Sequence, residues 1–194
     1  MAAPMMATDA PNGSDLVKKY ADNIAGKVIL TTGVTQGGLG GQFVENIAAA
    51  KPGLLILAGR NLEKTKAMAE KLKQLYPDVP VRTLQLDLES LAAVRSAAEI
   101  VNSWDDVENI DVVVNNAGIM AIPFGLTADG YEKQFATNHL GHFLFTNLIM
   151  GKILSSKAPR IVSVSSHGHT LHPIRWADVQ FDVRQKHRLY SKTP

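Results

Sequence analysis

The chain has 194 residues, 45% hydrophobic and 20% charged, with 20 basic and 18 acidic side chains and a formal charge of +2. That length suits one domain with a sizeable core, and the near-balance of charge argues against nucleic acid as the main partner. Without any cysteine there is no disulfide framework and no thiolate metal site.

Residues 1–13 are small and polar, include Asp9, and lack a basic region followed by an apolar core, so they are expected to be a leader and not a signal peptide. Residues 1–23 are assigned to a flexible leader, with a short surface helix over 16–23, and residues 24–194 to a single domain. The apolar run Val28-Ile29-Leu30 places the first strand at 27–32. Next comes Thr32-Gly33-Val34-Thr35-Gln36-Gly37-Gly38-Leu39-Gly40, then the helical pattern Phe43, Val44, Ile47, Ala48. Strand, glycine-rich turn and helix in that order form the phosphate-gripping end of a dinucleotide-binding unit. Glycines let the backbone turn sharply and approach a pyrophosphate, whose charge then lies at a helix N-terminus.

Pro52-Gly53 breaks the chain, and the continuous apolar run over 54–58 suits a strand buried on both faces. Residues 62–76 read as an amphipathic helix with Leu62, Met68, Leu72 and Leu75 inward, ended by Pro77 and Pro80. A third strand is expected over 81–88, and Ser90 caps a helix running to about Trp104. A fourth strand covers 110–115, helical pattern broken near Gly130 covers 126–155, and Pro159 precedes a fifth strand over 160–165. The most apolar helical stretch, around 143–154, follows His142, carries Asn147 and Lys152, and is too short to span a membrane. Strands separated by helices imply a parallel sheet with right-handed crossovers, doubly wound in three α-β-α layers, with ligand at the carboxyl ends of the strands.

These pieces together resemble the short-chain dehydrogenase/reductase family. The matching residues are Thr32-Gly33 with its glycines, Asp87-Leu88, Asn115-Asn116-Ala117-Gly118, Asn138-His139-Leu140-Gly141-His142, and Arg160-Ile161-Val162-Ser163-Val164-Ser165-Ser166. The last two motifs, with Ser-His-Gly-His after the fifth strand, look most like the retinol-dehydrogenase-like branch and its fungal relatives. The glycine loop carries one extra residue against the family pattern, so either Gly37 or Gly38 fills the middle role.

The resemblance implies a Rossmann-type fold and an oxidoreductase passing hydride between a nicotinamide and a carbonyl or secondary alcohol. The expected cofactor-binding residues are Gly33, Gly37, Gly38, Leu39, Gly40, Arg60, Asp87, Leu88, Asn115, Asn116, Ala117 and Gly118. Arg60 ends the second strand, where NAD-preferring members place an acid, so NADP is favoured over NAD; the competing reading is a solvated arginine near Glu63. Asp87 is expected to meet the adenine amino group, or else to cap a helix. Of Asn115 and Asn116, one stitches strands together and the other faces the cofactor. Asn138 is expected to bend its helix and hold a water in a proton relay, and Ser166, with Ser165 the alternative, to bond the substrate oxygen.

His167, His169 and His172 lack a nearby carboxylate, so no metal site is expected. The family's general acid/base is a tyrosine with a lysine four residues later. Tyr190 is the candidate, but Pro194 stands four residues on and Lys192 only two. That departure predicts impaired turnover and a domain incomplete at its C-terminal end. The alternatives are a non-catalytic nucleotide-binding protein, an interaction fragment or a product without function. A cytoplasmic location, a small-molecule substrate and homo-oligomer formation complete the expectations.

Overall fold

The structure is a computed structural model that describes residues 11–170 and 173–182. Two apolar runs build its centre. In β1 (Val28–Thr32) and β2 (Leu54–Gly59) almost every position is buried, as a strand covered on both faces requires. The two pair in parallel, Val28 opposite Leu54 and Thr32 opposite Ala58. Strands that run the same way need a crossover between them. These are α3 (Leu39–Ala48) after β1, α4 (Leu62–Leu75) after β2, and α5 (Leu91–Asn102) between β3 (Val81–Gln85) and β4 (Val112–Asn115). The last crossover, to β5 (Arg160–Ser163), contains α6 (Lys133–Phe135), a π-helical segment (Ala136–Leu140), α7 (Gly141–Leu148) and α8 (Met150–Leu154). The five-stranded parallel sheet has the order β3-β2-β1-β4-β5.

Side chains alternate across the pleat, so the sheet feeds two cores. Leu30, Ile56, Ala58 and Val113 meet Val94, Val101, Phe145, Ile149 and Ile153 on one face. Ile29, Leu55, Leu57 and Val114 meet Val44, Ile47, Met68 and Leu72 on the other. The result is the expected three-layer α/β, doubly wound arrangement. Two short helices, α1 (Gly13–Lys19) and α2 (Ala21–Ile24), precede β1, and their Val17 and Ile24 pack against the second core.

Several boundaries differ from the sequence reading, each for a local reason. The third strand stops at Gln85 because β2, its partner, ends at Gly59; Leu86 and Leu88 are buried in the turn that follows. Residues 126–132 are not helical. They fold back on themselves with Leu126 bridged to Glu132, and Gly130 turns the chain with φ of +81°. In α4 the buried stripe is Thr65, Met68, Ala69 and Leu72, whereas Leu75, at the last turn, is 52% exposed. Ser90 does cap α5, accepting from the Ala93 N–H at 3.2 Å.

β5 is the edge strand of the described sheet, and Ile161 and Val162, which point to opposite faces, are each 46% exposed. Among the described residues no helix is long and apolar enough to cross a membrane.

The amino end of the sheet is tied by one buried carboxylate. Asp111 accepts from the Val28 N–H at 2.9 Å and the Ser156 hydroxyl at 2.6 Å, with the Lys27 ammonium 3.6 Å away. Its backbone N–H donates to Val28 O and its carbonyl accepts from Arg160 N–H, both at 2.9 Å. Burial pushes the Asp111 carboxyl up, but the bonds from Ser156 and Val28 and the charge of Lys27 outweigh it and hold the group below the usual carboxylate range. Asp111→Asn should therefore cost about 1–3 kcal/mol in urea unfolding at neutral pH. A depressed folded value gives stability that is present above pH ~4 and lost as pH falls through it, so the wild-type advantage should shrink in acid.

Candidate functional site

Beyond Thr32 and Asn115, β1 and β4 part, because β1 continues to a helix on one face and β4 to helices on the other. Ligands of open α/β sheets occupy the crevice at such a point. Gly33 makes the parting possible: its φ is +73°, and a Cβ there would lie 2.7 Å from the Ala117 Cα. Gly40, in the first turn of α3, has no space either, since a Cβ would meet Asn116 Nδ2 at 2.5 Å and the Gly33 carbonyl at 2.7 Å. Asn116 fastens the two strands together here. Its Nδ2 donates to the Thr32 carbonyl at 2.8 Å, while its backbone N–H and that of Ala117 each donate to Thr32 Oγ1 at 3.0 Å.

The crevice is a cleft of about 400 Å³. Gly33, Leu39 and Gly40 form its wall at the amino end of α3, and Asn116, Ala117, Gly118 and Ile119 form the opposite wall. Ala58 and Gly59 of β2 and the Arg60 that follows them close one end with Leu86, Asp87, Leu88 and Glu89 from the β3–α5 turn. Charge is concentrated at that end. The Arg60 guanidinium donates to Glu89 Oε1 at 2.6 Å, and Lys133 Nζ stands 3.8 Å from Glu89 Oε2. Asp87 accepts from the Glu89 N–H with one oxygen, at 3.0 Å, and its other oxygen has no hydrogen bond among the described residues. Thr137 also lines the cleft, and its buried hydroxyl has no partner there.

The wall at 116–119 is held from behind by the π-helical segment. Asn138 Oδ1 accepts from the Ile119 N–H and Asn138 Nδ2 donates to the Ile119 carbonyl, both at 2.8 Å. One extra residue in a helical turn lets Asn138 reach sideways without breaking the helix, a use to which π-bulges are often put. Behind it lies His142, 5% exposed, with Nε2 2.8 Å from Thr32 Oγ1 and Nδ1 3.3 Å from the Asn138 carbonyl. Burial pushes the imidazole below the usual histidine range; the bond to Asn138 opposes this and the charge of His139 adds to it.

Of the residues singled out from sequence, Gly33, Leu39, Gly40, Arg60, Asp87, Leu88, Asn116, Ala117 and Gly118 meet around one cleft. Gly37 and Gly38 belong to the turn: Gly37 takes a φ of +75° and Gly38 precedes the first residue of α3. Asn115 is not on the cleft. Its side chain lies in the interior, with Nδ2 donating to Thr146 Oγ1 at 3.2 Å, because successive residues of a strand face opposite ways.

Asn138 stands behind the wall. Ser166 follows β5 and closes a 3-10 turn (His167–Thr170), its Oγ accepting from the Gly168 N–H at 3.1 Å, so its own proton remains to be donated. Tyr190 and His172 lie outside the described residues. Sequence reasoning assigned no role to Thr32, Glu89, Thr137 or His142; Thr32 and His142 stood inside quoted motifs and Glu89 one position beyond Asp87-Leu88, whereas Thr137 had no signal except its place beside Asn138.

The sequence profile of the family described as short chain dehydrogenase matches residues 27–177. The chain is 36% identical over 172 residues to oxidoreductase fscI of Fusarium equiseti, covering 86% of this chain and 66% of that one. It is 38% identical over 163 residues to retinol dehydrogenase 13 of Homo sapiens, covering 84% of this chain and 48% of that one. Among solved structures, a protein from Mycobacterium paratuberculosis superposes with a TM-score of 0.66 at 33% identity, over 84% of this chain and 55% of its own. The chain thus spans from about half to two thirds of the length of these relatives.

The contacts around Gly40 make a direct expectation. Gly40→Val should push α3 away from the Gly33 carbonyl and Asn116, destabilising the fold by about 1–3 kcal/mol. Thermal unfolding monitored by circular dichroism would read this as a lowered Tm.

Proposed function

The chain belongs to the short-chain dehydrogenase family, and from that footing we propose an NADP(H)-dependent oxidoreductase acting on a small carbonyl or secondary alcohol. The observation that carries this reading is the cleft of about 400 Å³ at the amino end of α3, lined by Gly33, Leu39 and Gly40, where backbone N–H groups and the helix dipole favour an anion such as a pyrophosphate. The residues present fit such a cofactor. The free oxygen of Asp87 is an acceptor for the adenine amino group, and Leu88 offers an apolar wall. The bound dinucleotide would supply or accept the hydride.

Arg60 supports NADP over NAD. It stands at the end of β2, where a 2′-phosphate would be recognised by a cation, and it is 63% exposed and therefore free to turn. In turning it would release Glu89, whose second oxygen keeps Lys133 beside it. Isothermal calorimetry should give tighter binding for NADPH than for NADH, and Arg60→Ala should weaken NADPH about tenfold while leaving NADH nearly unchanged.

The proton-transfer half is weaker in these 194 residues. Ser166 retains a hydroxyl proton to donate to a substrate oxygen, and Asn138 fixes the wall on the reacting side. A phenol near pKa ~10 needs an adjacent cation to work at neutral pH, and Pro194 stands four residues after Tyr190. Pro194 thereby favours a second reading, a protein that binds the dinucleotide with little turnover. NADPH oxidation with a panel of ketones and aldehydes should be slow and insensitive to Tyr190→Phe. Fast rates abolished by that substitution would restore Tyr190 as the proton carrier.

A further inference from the structure

Thr32 Oγ1 receives two N–H groups, from Asn116 and Ala117, each at 3.0 Å. A hydroxyl oxygen has two lone pairs and one proton, so both lone pairs are filled and the proton must go elsewhere. The remaining neighbour is His142 Nε2, 2.8 Å away, which therefore accepts. A neutral imidazole that accepts at one nitrogen carries its proton on the other, and that Nδ1–H points to the Asn138 carbonyl at 3.3 Å. Thr32 grips the start of the 116–119 wall, and Asn138 grips its end through both backbone groups of Ile119. The ring lies between the two grips, buried from water that could replace either bond.

We propose that His142, as the neutral Nδ1–H tautomer, is a positioning residue that braces the 116–119 wall of the cleft by coupling Thr32 to Asn138. The effect on cofactor affinity rests on the dinucleotide reading above; the tautomer does not. A second proton on the ring would set Nε2–H against an oxygen that already accepts two donors, so acid should break the brace. His139 on the π-helical segment is the titratable neighbour whose charge reaches the ring. β1 and residues 116–119 carry no titratable side chain. The β3–α5 turn, which touches α7 through Leu88 against Gly141, brings Asp87 and Glu89 on either side of Leu88.

Long-range nitrogen–proton correlation spectra of histidine-labelled protein decide the tautomer. One histidine should show the neutral Nδ1–H pattern at pH ~7 and titrate below the ordinary ~6.5. Its signal should be absent in His142→Gln, kept in Thr32→Ser and altered in Thr32→Val. A cationic or Nε2–H ring at His142 at neutral pH would overturn the proposal, and sequential assignment of the wild-type spectrum identifies that ring where a variant does not fold. In calorimetry with NADP+, His142→Gln should bind about tenfold more weakly than wild type at pH ~7.5. Wild-type affinity should fall more steeply than the variant's between pH ~7.5 and ~5.5. Equal slopes would sink the brace. Wild-type protein that binds no NADP+ while showing the Nδ1–H ring would refute the cofactor reading and leave the brace standing.

Discussion

The separation of β1 from β4 at their carboxyl ends governs the rest of this structure. Two parallel strands that are hydrogen-bonded along their length must diverge to feed helices on opposite faces, and the divergence opens a crevice lined by main chain. Nothing but glycine fits at Gly33 against Ala117, so the walls can come close enough for Asn116 to bond across them. The cleft is thus narrow at its floor and polar there, with Thr32, Gly33 and Asn116 already bonded to one another across it. The lining side chains gather around it because the segments after β1, β2, β3 and β4 all leave the sheet at the same edge.

How far the sequence revealed this depends on the scale of the feature. The strands at β1 and β2 were legible because burial on both faces demands unbroken apolar runs, and the cap at Ser90 because a helix start needs an acceptor for its free N–H groups. The end of β3 was not legible. Residues 81–88 keep a strand-like pattern throughout, yet pairing depends on where β2 turns away, which is a property of another segment. The turn over 126–132 was hidden for a similar reason: its apolar residues suit a helix, and only Gly130 signals otherwise.

The candidate site shows the same division. Glycines and the Asp87-Leu88 pair mark the cleft through their order along the chain. The roles of Asn115 and Asn116 cannot be told apart by composition, since two identical side chains are sorted by the pleat into core and cleft. His142 lies within a motif that was recognised, but no spacing rule says that a residue on α7 reaches β1, 110 positions earlier in the chain. Glu89 is likewise a tertiary fact. Its carboxylate joins Arg60, just after β2, to Lys133 from α6, three segments that only the fold brings together.

Among the described residues nothing covers the outer edge of β5, and that exposure sets the terms for anything that would shelter it. Ladder bonds from a lone neighbouring strand would satisfy its free backbone groups but would leave Ile161 and Val162 wet, since those side chains project above and below the sheet. Drying both requires a visitor with thickness: material over each face as well as alongside. A thin extended peptide is the wrong shape for this ledge, and a folded layer is the right one.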